Sequence, residues 1–258
     1  MNKSINFLLI LFLFLSTLTS SEIRSIITQK FVKLNFSQQE IEQVIQQVEI
    51  AHKNNIPDSV IIKLVNEAEV KKVSFQKFYP VLKNYVSLAI LAKELLNRVS
   101  FEKFKPIDYE YCIFTTIQML NSNVSEEEFI KFMSLLSTRY TFDDAIAMMN
   151  YYSVLKKYFS TPIIDQKNNR IVTPYEVLFL KYHSRPVKEM SVIIQNVTKF
   201  LSTYHDSSTE IYNLLITNSA LPTNKIVKQI QCLYDKKVKQ EVKKEIEQDT
   251  KYLQKKMY

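Results

Sequence analysis

The chain has 258 residues, 46% of them hydrophobic, and a formal net charge of +8, which is enough for one or two domains with a real core and does not describe a disordered chain. It contains no glycine and no tryptophan. Glycine supplies the positive φ of tight hairpins, bulges and phosphate-cradling loops, so its absence argues against nucleotide-binding folds and excludes a Walker loop and a Gly-x-Ser-x-Gly elbow outright.

Helices end without glycine when Asn takes the left-handed conformation. Asn54, Asn55, Asn121, Asn168 and Asn169 stand where such endings are expected.

The N-terminus carries Lys3, an apolar run from Phe7 to Leu15, and then small residues as far as Ser21. This is the pattern of a secretory signal peptide over residues 1–21, cleaved after Ser21, and it makes the protein an exported one. An uncleaved anchor is the alternative, although the run falls short of the ~20 apolar residues a spanning helix needs. Removing residues 1–21 with their single lysine leaves a mature charge of +7, which draws the protein toward anionic surfaces or simply keeps it soluble.

Beyond the leader one pattern recurs: a cap or proline, apolar residues at helical spacing, a short break, and a second apolar helix. The first copy has Ile56 and Pro57, then Ile61, Leu64 and Ala68, a break at Val73, Ser74 and Phe75, and then Phe78, Val81, Leu82 and Tyr85. The second has Val124 and Ser125, then Phe129, Phe132 and Leu136, a break at Tyr140, Thr141 and Phe142, and then Ala145, Met148, Met149 and Tyr152. A third, shortened copy starts at Val172 and Thr173 and breaks at Pro186 and Val187, and a fourth runs from Ser207 to a break at Leu221 and Pro222.

Spacings of three and four put each apolar set on one helix face, and a two-helix hairpin cannot bury such a stripe alone, so neighbouring hairpins must stack. The expected fold is therefore all-α: stacked antiparallel helical hairpins forming a degenerate solenoid-like bundle. The repeat resembles tetratricopeptide and HEAT scaffolds in architecture only; the Trp, Gly and Pro positions of the former are absent, and the resemblance supplies no functional residues.

Capping boxes are expected at Ser37 with Glu40, Ser125 with Glu128, Thr173 with Glu176 and Ser207 with Glu210. Pro174 fits a first helical position. The acid runs Glu126–Glu128 and Asp143–Asp144 read as first-turn carboxylates facing a positive helix end. Pro80, near the beginning of a long apolar segment, predicts a kink or a fresh helix start.

Residues 98–107 and 160–172 are polar, proline-marked connectors, and the second is the expected domain boundary. The expected organisation is a repeat region over 22–160, a second hairpin region over 161–233 and a charged C-terminal helix over 234–258. In that helix Val238, Val242, Ile246, Leu253 and Met257 leave a narrow apolar stripe, suited to light docking or to pairing with another helix.

No residue stands out as catalytic, cofactor-binding or metal-binding. His52, His183 and His205 lack a partner at metal-ligand spacing, and His52 and His183 sit at helix ends. Export places Cys112 and Cys232 where a disulfide can form, but two cysteines are no disulfide framework, and two separately buried thiols are the leading expectation, with the disulfide as the alternative. Asn-x-Ser/Thr triplets at Asn35, Asn123 and Asn196 would permit glycosylation in a eukaryotic secretory pathway. The aromatics read as core, with tyrosine binding platforms as the alternative.

The leading expectation is a non-enzymatic protein-interaction or structural module that binds another protein or an envelope polymer. A peripheral protein held to an anionic membrane surface by the basic helices around Lys225 to Lys256 is the second reading. A hydrolase with carboxylates assembled in space is the third. Nucleic acid is not an expected partner, because basic residues are not interleaved with the aromatics.

Overall fold

The computed structural model describes residues 20–165 and 170–256, without the side chains of residues 20, 21, 163–170 and 250–256. The expected signal peptide therefore lies outside the described residues apart from Ser20 and Ser21. Among the described residues the chain is all-helical apart from one small hairpin, and no helix is long and apolar enough to cross a membrane.

It divides between Asn121 and Ser122 into two compact units. This differs from the boundary expected at 160–172. The helices on either side of that connector pack together, and burial across a connector outweighs its polar composition.

The first unit contains α1 (Ser20–Lys33), α2 (Gln38–Lys53), α3 (Asp58–Val70), α4 (Phe75–Val99) and α5 (Tyr109–Asn121). Ile23, Ile27 and Phe31 bury one face of α1, and Ile41, Val44, Ile45 and Val48 that of α2. Each helix packs on the next, and α1 also packs on α3, α2 on α4 and α3 on α5. Helix α4 runs through Pro80 with no fresh start, although a proline at the sixth helical position has no amide to give the carbonyl four residues back.

The second unit contains α6 (Glu126–Leu136), α7 (Phe142–Tyr158), strands β1 (Ile163–Asp165) and β2 (Arg170–Val172), α8 (Pro174–Tyr182), α9 (Val187–Thr203), a 3-10 turn (His205–Ser207), α10 (Ser208–Thr217) and α11 (Thr223–Lys256). Again packing links each helix to a sequence neighbour or next neighbour: α6 to α7, α7 to α8 and α9, α8 to α10, and α9 and α10 to α11. The 160–172 connector holds the antiparallel strand pair, with Ile163 opposite Val172 and Asp165 opposite Arg170. The expectation of a plain connector is corrected there: β-branched Ile163, Ile164, Ile171 and Val172 favour extended backbone.

The C-terminal helix also starts earlier than expected, at Thr223 instead of 234, because Ile226 and Ile230 are buried and extend it back to the Leu221–Pro222 break.

The junctions share one device. Asn35, Asn55, Lys72 and Asn123 have φ of 60°, 53°, 49° and 62°. At the first three, the amide of the left-handed residue reaches the carbonyl three residues back, and the following amide reaches the carbonyl five back: Phe36 N to Phe31 O at 3.1 Å, Ile56 N to Ala51 O at 3.0 Å, and Val73 N to Ala68 O at 3.0 Å. This is the Schellman ending. An apolar residue follows, then the Ser or Pro that opens the next helix.

Of the asparagines expected in this role, Asn55 fills it. Asn54 is a right-handed cap at φ −88°, Asn121 ends α5, and Asn168 and Asn169 lie outside the described residues. Asn35 and Asn123 take the role instead, so two of the three Asn-x-Ser/Thr triplets are helix stop-start signals. The third, Asn196, lies within α9 and donates Nδ2 to Val192 O at 2.8 Å.

Candidate functional site

A groove of about 660 Å³ opens on the first unit, between the start of α3 and the start of α5. Helix α3 contributes Ser59, Ile62, Lys63 and Asn66, a spacing that aligns them on one face, while Val60, Ile61, Val65 and Ala68 bury the other. Helix α5 contributes Tyr109 and Glu110.

The hollow continues past Lys63 and Glu110 to Asp108, Tyr111 and Phe114. The Lys63 ammonium sits 3.6 Å from the centre of the Phe114 ring, an attraction between cation and ring quadrupole that fixes a long side chain along the groove wall. Asp108 accepts the Tyr111 amide at 2.9 Å and caps α5. Burial raises the Tyr109 phenol, with Cys112 adding to it. At the other end His52 Nδ1 lies 3.3 Å from Asp58 Oδ1, tying the end of α2 to the start of α3.

The second unit holds two half-buried polar clusters. Ser125 and Glu128 form the expected capping box. Glu128 also accepts the Tyr152 hydroxyl at 2.7 Å and the Lys156 ammonium at 2.7 and 2.9 Å, with the Tyr175 hydroxyl at 3.4 Å. Burial on its own would raise the Glu128 carboxyl, but the bonds from Lys156, the Ser125 amide and Tyr152 outweigh it and hold the group below the ordinary carboxylate range. Burial, reinforced by Glu128, pushes the Tyr152 phenol far up.

Lys156 donates as well to Asn123 O at 2.6 Å, the carbonyl of the left-handed junction. The cluster thus ties the opening of α6 to α7 and α8. Around Arg185, the guanidinium donates to Ser219 O and Leu221 O at 2.7 and 2.6 Å, to Thr223 Oγ1 at 3.1 Å and to Glu189 at 3.2 Å, and so closes the α10–α11 turn.

Both clusters are internally satisfied, and among the described residues no buried side-chain nitrogen or oxygen lacks a partner. No group of three or more His, Cys, Asp or Glu side chains among the described residues is arranged to hold a metal.

The boxes expected at Thr173 and Ser207 do not form. Thr173 leaves β2 at ψ 105° with no side-chain cap bond, and Ser207 is taken up in the 3-10 turn while Glu210 pairs with Lys237 at 2.6 Å. Thr141, not expected as a cap, accepts the Asp144 amide.

Cys112 is buried in α5 of the first unit and Cys232 is exposed on α11 of the second, so the expectation of two buried thiols fails for Cys232. His183 caps α8, with Nδ1 2.8 Å from Leu180 O. The groove escaped sequence reading because its walls come from residues some fifty positions apart; the polar stripe Ser59–Asn66 was its available signal.

No family model matches the chain, and no curated protein or solved structure matches it.

Proposed function

We propose that the chain is an exported, non-enzymatic interaction module of degenerate stacked helical hairpins, and that the α3–α5 groove receives a segment of another protein. The observation that carries this reading is the groove's lining. A helical stripe of Ser59, Ile62, Lys63 and Asn66 faces Glu110 and Tyr111, which offers apolar contact, both signs of charge and amide hydrogen bonds on rigid helices, as a peptide-binding surface requires.

The test is affinity capture from the native source with the wild-type chain and with Ile62→Asp/Lys63→Glu. A salt-resistant protein partner retained by the wild type and lost from the variant supports the groove; an identical partner set on both overturns it.

A second reading, attachment to an anionic membrane surface, is favoured by α11, whose ten lysines against five acids hold five of the chain's eight net positive charges. Vesicles containing phosphatidylserine test it, and absence of binding at low ionic strength sinks it.

A further inference from the structure

Helix α11 has two working faces. Ile226 and Ile230 are buried, Tyr234 meets the rings of Phe200 and Tyr204, Lys237 pairs with Glu210, and Glu241 accepts the Tyr204 hydroxyl at 3.2 Å. These residues recur at helical spacing and dock the helix on its own unit.

One residue further on, about 100° around the axis, lies a second, more exposed stripe. Val238 is 38% exposed, Val242 48% and Ile246 61%. Lys239 and Asp249, also exposed, stand three residues before Val242 and three after Ile246, so about residue 244 Val242 mirrors Ile246 and Lys239 mirrors Asp249.

We propose that this stripe pairs with a second copy of the chain, antiparallel about that midpoint. Such a two-fold contact sets Val242 of each copy against Ile246 of the other, and Lys239 of each against Asp249 of the other.

The charges choose among the occupants. A parallel pair would stack Lys239 on Lys239 and Asp249 on Asp249, which is repulsive. An anionic lipid surface would meet the carboxylates of Asp235 and Asp249 within the same stripe, where they are repelled. Antiparallel pairing satisfies both Lys239 and Asp249, while Asp235 accepts a bond from Gln231 Nε2 of its own helix at 2.8 Å.

This inference is independent of the groove reading, since Lys63 and α3 belong to the other unit, and the groove variant above leaves the pairing unchanged.

Sedimentation equilibrium of the full chain at rising concentration tests it. The wild type forms a reversible dimer. Lys239→Asp alone and Asp249→Lys alone each place like charges in both outer layers and weaken the dimer by about tenfold. The double exchange Lys239→Asp/Asp249→Lys restores the opposite pairing and returns the dimer to near wild-type strength, a rescue that association through another surface does not show. Circular dichroism confirms that all variants keep the same helicity.

A wild type that stays monomeric to about 200 µM, single exchanges without effect, or a double exchange that fails to rescue would each overturn the proposal. So would a monomer that binds phosphatidylserine vesicles.

Discussion

The two units solve one packing problem with different materials. The first buries mainly aliphatic side chains, among them Ile27, Val44, Ile61, Leu82, Ala89 and Leu95, beside a smaller ring cluster of Phe31, Phe36 and Phe78; Arg24 pairs with Glu42 and Glu49 at 3.3 and 3.0 Å at its surface, and the pair Lys30–Glu69 is about three-quarters buried. The second builds on rings. Phe132 meets Tyr152 at 4.7 Å and Phe179 at 5.0 Å, and Phe200 meets Tyr204 at 5.4 Å; among its ion pairs Lys156–Glu128 is four-fifths buried on both sides.

Tyrosine explains the difference, since a buried ring carries its hydroxyl inward and the hydroxyl requires a partner. Tyr152 finds Glu128 and Tyr182 finds Leu215 O at 2.8 Å. Buried tyrosines therefore draw polar partners inside the second unit.

The largest effect that separates the units comes from truncating a central ring. Phe132→Ala removes a fully buried side chain and costs about 4 kcal/mol. Hydrogen exchange then shows protection lost across the second unit and kept in the first, while Leu82→Ala, at about 3 kcal/mol, gives the reverse. Equal loss in both units after either change would break the comparison.

Next comes the buried ion pair. Glu128→Gln leaves the Lys156 ammonium half-paired and costs about 2 kcal/mol at neutral pH. Because the Glu128 carboxyl is held below its ordinary value of 4.5, its stabilisation is present above about that pH and is lost as pH falls through the lower folded value. The acid side of the denaturation profile is accordingly shallower in the variant. Glu69, lowered chiefly by the bond from Lys30, shows the same sign, and Glu69→Gln has a smaller effect that fades with salt.

The smallest effects fall at the junctions. Asn55→Ala forces a Cβ without a local hydrogen-bonding side chain into the left-handed region and lowers stability by about 1 kcal/mol. Lys72→Gly relieves the same strain and raises Tm. A calorimetric melt checks both, and an unchanged Tm for Lys72→Gly would show that the strain is absorbed elsewhere.

Local signals were legible in the sequence. The boxes at Ser37 and Ser125 are contained within four residues, and the one at Ser125 forms even though Glu128 also accepts from Tyr152 and Lys156. The breaks at Ser74, Thr141 and Pro186 coincide with helix starts, of which only Thr141 closes a side-chain cap bond. The signals at Thr173 and Ser207 were overridden, one by strand pairing just before it and the other by a 3-10 turn and the pull of Lys237 on Glu210.

The candidate groove was legible only as a polar stripe on α3, because its opposite wall depends on α3 meeting α5.

The sequence alone therefore determined that the described chain is helical, where most helices begin, and which faces of α6 and α7 are buried, since these follow from spacing and from bonds that close within one turn; Val81, placed by the same spacing on the apolar face of α4, is exposed. Tertiary structure decided where the units divide, which asparagines bend the chain, and which of two faces on α11 is covered. Those outcomes depend on burial between residues far apart in sequence, and the energy of burying a side chain is larger than that of any single cap or turn.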